Sequence, residues 1–135
     1  MSQYRDIPDI TLKANSGSSP AYRVVTVSGA NTADIWKTAT SLILGVSMED
    51  ASATGEAWKI RIAGTAKVAC GASVSAGALV TPMTGTGKIT EATKTYNTTT
   101  TVVPRSLGIA LEAGSTNSVI EVLIMPNNIR KQAFS

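Results

Sequence analysis

The residues able to do chemistry are nine carboxylates and one cysteine, in a chain with no histidine. Asp6, Asp9, Asp34, Glu49, Asp50, Glu56, Glu91, Glu112 and Glu121 are spread along the chain. Glycoside hydrolysis needs two carboxylates facing across a cleft, and the only adjacent pair is Glu49-Asp50. Glu49 has a counterpart, Glu112, in a similar stretch further on, which points to a shared structural task after a strand. Cys70 lies in the small-residue run Val68-Ala69-Cys70-Gly71-Ala72. As a nucleophile it would need a base, and one thiol cannot make a zinc site; a small buried residue is the expectation. Thr84-Gly85-Thr86-Gly87-Lys88 has the glycines and lysine of a phosphate loop without the Walker spacing or a following helix, so a hairpin turn is expected. No Ser-x-x-Lys motif is present. These residues predict a non-enzyme without cofactor or metal.

Charge excludes other classes. The 12 cationic and 9 acidic residues give a net charge of +3. The cations are scattered and no aromatic ladder runs between them, so no nucleic-acid groove is expected. No apolar run is long enough for a membrane helix. Met1-Ser2-Gln3-Tyr4-Arg5-Asp6 lacks the apolar core of a signal peptide, so a soluble, unexported product is expected. Aromatic residues make up only 4% of the chain. Small side chains bury little apolar area each, at roughly 25 cal/mol per Å², which predicts reliance on association.

The elements that would position these residues are strands. Residues 1–20 form an expected arm and linker. Tyr4, Ile7, Ile10 and Leu12 are spaced among polar residues, and Asn15-Ser16-Gly17-Ser18-Ser19-Pro20 follows as a flexible link. Residues 21–128 read as the β domain. Tyr22–Val27, Leu42–Met48, Leu79–Thr81 and Leu107–Leu111 are β-rich. Ala57-Trp58-Lys59-Ile60-Arg61-Ile62 alternates with the period of a half-buried strand. Val119–Ile124 is the last long strand, stopped by Pro126-Asn127-Asn128. Residues 129–135 form a tail. The two halves overlay: Leu44-Gly45-Val46 on Leu107-Gly108-Ile109, Trp58-Lys59-Ile60 on Ile120-Glu121-Val122, and Val25-Thr26 on Val80-Thr81. Glycines within strands mark bends that help close a small barrel. The fold class expected is all-β: a small antiparallel β-barrel or sandwich with weak internal duplication and an extended N-terminal arm. Trp58, Ile60, Ile62, Val122 and Ile124 should line buried faces.

The second half also carries a family resemblance. Val74-Ser75-Ala76-Gly77-Ala78-Leu79-Val80-Thr81, Gly87-Lys88-Ile89-Thr90, Ser106 to Gly114 and Ile120-Glu121-Val122-Leu123-Ile124 together resemble the tailed-phage capsid decoration, or cement, family. Weaker counterparts occur in the first half, so the resemblance covers residues 20–127. Asn117-Ser118 departs from it, where relatives have a Gly-acidic turn, as does the threonine stretch Tyr96 to Thr101.

The resemblance implies a subunit on the outside of a phage head, made in the host cytoplasm and incorporated into the virion. Its implied partners are the major capsid protein and its own copies, as a homotrimer. The implied contact residues are Tyr4, Arg5, Ile7, Ile10 and Leu12 of the arm, and Arg130, Lys131 and Phe134 of the tail. On this reading, removing residues 1–14 leaves the β domain folded. A head-fibre or tail module that binds a host glycan is the alternative, with Trp36, Trp58, Tyr4, Tyr22 and Tyr96 as candidate stacking residues.

Overall fold

Short runs of β-branched and alternating residues become twelve strands in a computed structural model that describes residues 9–17, 19–38, 41–92, 95–96, 101–102 and 105–127. They are β1 (Asp9–Ala14), β2 (Val24–Gly29), β3 (Thr32–Ile35), β4 (Gly45–Ser47), β5 (Ala57–Arg61), β6 (Gly64–Ala69), β7 (Leu79–Pro82), β8 (Ile89–Glu91), β9 (Thr95–Tyr96), β10 (Thr101–Val102), β11 (Ser106–Ala110) and β12 (Val119–Asn127). No helix occurs among the described residues. The expected all-β barrel fold is what forms.

The first unit is a closed barrel in the order β1-β3-β2-β4-β5. Strand β5 has the predicted alternation: Trp58 and Ile60 are fully buried, while Ala57 and Lys59 are exposed. Closure comes from β1, which pairs antiparallel with β5 from Asp9↔Arg61 to Lys13↔Ala57 and parallel with β3 at Lys13↔Thr32 and Ala14↔Ala33. Ala14, Val25, Ala33, Ala51, Trp58 and Ile60 form its interior cluster. One indole among three alanines suits a barrel with room for few side chains. The Trp58 indole N–H donates to the Glu49 carbonyl at 2.7 Å, so its polar atom is satisfied.

The second unit repeats this order as a five-stranded sheet, β6-β12-β11-β7-β8. Where β1 and β3 pair in parallel, it has a single parallel bridge, Cys70↔Ile89. Register carries the repeat residue by residue. Val25 pairs with Gly45 as Val80 pairs with Gly108. The bridge Ser19↔Ala51 corresponds to Val74↔Gly114. The Gly55 N–H donates to the Ala14 carbonyl as Asn117 does to that of Cys70, both at 2.8 Å.

Gly55 and Asn117 both hold positive φ, 87° and 72°. Asparagine tolerates this region better than most side chains, which explains how Asn117 replaces the expected glycine. Glu56 accepts the Ser52 and Ala53 N–H groups, and the Ser118 hydroxyl takes over by accepting from Ser115 N–H. The interiors correspond too, with Cys70 at the place of Ala14, Ile89 at that of Ala33 and Ile120 at that of Trp58. Larger neighbours around Ile120 make up the volume that Trp58 fills in the first unit.

The first unit also helps to complete the second. The Ala69 N–H donates to the Tyr22 carbonyl at 2.9 Å, and the Val24 N–H donates to the Gly87 carbonyl at 2.8 Å. The start of β2 thereby links β6 to the turn before β8. Val24, Trp36, Ile43 and Val46 join one core cluster with Val68, Val80, Ile120, Val122 and Ile124. Ile62 is half-buried against the other cluster.

Three expectations change. The arm predicted over residues 1–20 is a barrel strand from Asp9 to Ala14, because its alternating side chains pair with β5 and cover the barrel interior. The link after it is tied down: Ser19 is buried and exchanges backbone bonds with Ala51. The strand predicted over Leu42–Met48 shrinks to Gly45–Ser47, with Leu42 exposed. Strand β12 ends at Asn127, within the expected Pro126-Asn127-Asn128 stop, and its pairing with β11 is irregular there.

Candidate functional site

The carboxylates hold turns. Glu49 accepts the Lys59 N–H at 3.3 Å, and Glu112 accepts the Glu121 N–H at 2.9 Å, at equivalent places in the two units. Asp50 accepts the Ala21 N–H and Glu91 the Ser75 N–H, both at 2.7 Å. Two backbone donors also hold the Glu56 carboxyl below its usual range. Asp50, Glu56 and Glu91 thus fasten loops, while Glu49 and Glu112 tie the turns after β4 and β11 to the N–H groups of β5 and β12. Cys70 is fully buried, and that burial pushes its thiol up, away from the reactive thiolate. The Thr84–Lys88 segment is a hairpin turn, closed by the Met83 N–H donating to the Lys88 carbonyl at 2.6 Å. Among the described residues no group of three potential metal ligands forms.

The predicted contact residues divide. Ile10 and Leu12 lie in β1, half-buried against the first barrel's core. They serve their own barrel, where the alternating pattern of the segment was assigned to a partner. Tyr4, Arg5, Ile7, Arg130, Lys131 and Phe134 lie outside the described residues. Asp9, beside them in sequence, fastens β1. The Arg61 Nε donates to its Oδ1 at 2.8 Å and Nη2 to its Oδ2 at 3.2 Å, while Nη1 donates to the Thr65 carbonyl at 3.1 Å. This fork pulls the Asp9 carboxyl below its usual value. Arg61 thereby ties the closing strand of the first unit to the opening strand of the second.

The surface offers apolar groups that sequence reasoning missed. Val27, Leu42, Leu79, Leu111, Val119 and Met125 are exposed. Val27 and Leu42 flank a groove of about 470 Å³, whose floor holds Asp34 paired with Lys37 at 3.2 Å. The signal was present in β11 and β12, where apolar residues occupy both parities. Of the candidate sugar-stacking residues, Trp36 and Trp58 are buried at 4% and 0% exposure. Tyr22 is exposed, with φ of 64° where the second unit has Gly77 at 84°. The side chains of Tyr4 and Tyr96 are outside the described residues.

A similar fold occurs in a bacteriophage head fibre. The solved structure is that of the head fiber gp8.5 N base in bacteriophage phi29, with a TM-score of 0.61 and 18% identity, covering 87% of this chain and 92% of that one. No protein-family model and no curated protein matches the chain. The likeness is one of fold, and it is to a head fibre and not specifically to a decoration protein.

Proposed function

We propose that this chain is a structural module of a phage head exterior that docks on the major capsid protein and reinforces its lattice, in association with further copies of itself. The observation that carries this reading is the extent of the fold likeness: it spans nearly all of both chains, so the whole module, and not a common substructure, is shared. The site chemistry is in keeping with it. Every carboxylate followed above is committed to a backbone N–H or an ion pair, and the thiol is sealed in the core, so the reading includes no catalytic step. It requires neither nucleic acid nor membrane.

The fibre-base variant of this reading places the same module on the head as the foot of a longer appendage. Glycan recognition by that appendage draws little from the two buried tryptophans.

The test is co-sedimentation of purified protein with expanded heads and with unexpanded proheads of its phage. Binding to expanded heads alone, with a higher temperature of head disruption, is the expected outcome. Binding without any gain in head stability would leave a fibre base and remove the reinforcing role. Failure to bind either particle would remove the head-docking reading.

A further inference from the structure

We propose that the outward face of the second sheet, along the row Leu79–Ile109–Leu123–Thr65, is the surface on which a second copy of this chain docks. Register places the row: Leu79 pairs with Ile109, Ile109 with Leu123 and Leu123 with Thr65, across β7, β11, β12 and β6. Alternation sets these side chains opposite the buried Val80, Ala110 and Val122. Leu79 is 37% exposed, and Leu111 and Met125, of the same parity as their strand neighbours Ile109 and Leu123, are 50% and 54% exposed. A sheet apolar on both faces is built to be covered on both. This one is covered on one.

The internal repeat indicates what covers the other. In the first unit the equivalent row is Val24–Val46–Arg61–Asp9. Val24 and Val46 are fully buried, because they share a core cluster with the second unit, a copy of the same fold. The molecule thus already contains this row closed by a sheet of its own fold, through that sheet's inner residues such as Val80 and Val122. The open row is the more apolar one, with Leu123 and Thr65 where the covered row has an arginine–aspartate pair.

Charge favours the same occupant. The charges beside the open row are Lys67 and Glu121, directly paired across β6 and β12. The face therefore brings no excess charge to a like face, and rotation about a symmetry axis can set Lys67 of one copy against Glu121 of the next. This inference rests on the self-association part of the proposed function, not on head docking.

Sedimentation velocity on the full chain, free and on heads, tests it with Leu79→Glu, Leu123→Glu and, as an exposed control in the first unit, Val27→Glu. Wild type and V27E should associate alike. The two face variants should associate roughly tenfold more weakly or worse, with unfolding midpoints near that of wild type. Leu79→Cys with a bismaleimide gives a second readout that does not depend on charge, since Cys70 is buried. It should link copy to copy, and Val27→Cys should not. Association unchanged in the face variants, with no L79C crosslink, overturns the choice of face alone. A wild-type chain that stays monomeric both free and on heads overturns the self-association reading beneath it. Face variants that lose head binding while associating normally assign the surface to the capsid protein and overturn the proposal.

Discussion

At the residue scale, the paired glycines show how the repeat constrains side-chain choice. A Cβ on Gly45 would overlap the Arg61 carbonyl, and one on Gly108 the Leu123 carbonyl. Neither clash involves a flexible side-chain end, so the ladder itself would have to move. Gly45→Ala and Gly108→Ala should each lose about 2–4 kcal/mol in urea unfolding. Gly77→Ala is milder. Nothing crowds that position, and only its left-handed φ resists, at roughly 1–2 kcal/mol. Cys70 belongs to the same logic, being the counterpart of Ala14 in a tight interior. Its thiol should stay unmodified by an exposed-thiol reagent until the protein unfolds. Labelling at the rate of a free thiol under native conditions would contradict the packing described.

At the scale of elements, β1 decides whether the first barrel exists. Removing residues 1–14 takes away the strand that joins β3 to β5, leaving Trp58 and Ile60 beside an open gap. The truncated chain should lose its cooperative transition in circular dichroism, in contrast to the sequence expectation that the β domain survives. The Asp9–Arg61 fork adds a pH signature. Its bonds hold the folded-state pKa of Asp9 below the unfolded value of about 4. The stabilisation is therefore complete above that unfolded value and is lost as pH falls through the folded one. Asp9→Asn should cost about 1–2 kcal/mol near neutral pH and lose less stability than wild type between neutral pH and strong acid. An equally steep acid limb in D9N would show that other groups set it.

Also at this scale lies the boundary of what the sequence discloses. The duplication is legible because Gly45 and Gly108 head similar strands, and because Trp58-Lys59-Ile60 and Ile120-Glu121-Val122 alternate in phase. The offsets read from those pairs are the ones the ladders adopt. Strand β1 is not legible, since Ile10 and Leu12 alternate weakly and sit next to a Ser/Gly run that reads as a flexible link. Its partners β3 and β5 lie far along the chain, and no local pattern names them. The outward row was hidden for a related reason. Consecutive apolar residues in Leu107–Leu111 report burial but not which of two faces is left open.

For the whole molecule, the shared cluster makes the two units one cooperative body. Val24, Trp36, Ile43 and Val46 supply part of the second unit's core. Heat or urea should therefore melt the chain in a single transition, with the Trp58 signal of the first unit and the far-ultraviolet signal of all strands coinciding. Residues 64–127 expressed alone should remain without fixed tertiary structure, binding a hydrophobic dye and giving collapsed amide dispersion. Two separated transitions would mean that the intermediary residues pack less closely than described.

The dependence of the second unit on the first gives synthesis a direction. Once Arg61 has left the ribosome, every strand of the first barrel is present, and Val24 and Val46 lie on its surface awaiting cover. The second unit emerges next and closes on that face as on a mould. Only Ile62 and Ala63 separate β5 from β6, so the chain's own second half is held at high local concentration. Copies made side by side on one message would otherwise exchange halves, since each nascent first barrel presents the same open face. The two-residue connection holds each second half beside its own first barrel, where its local concentration exceeds that of a neighbouring chain's.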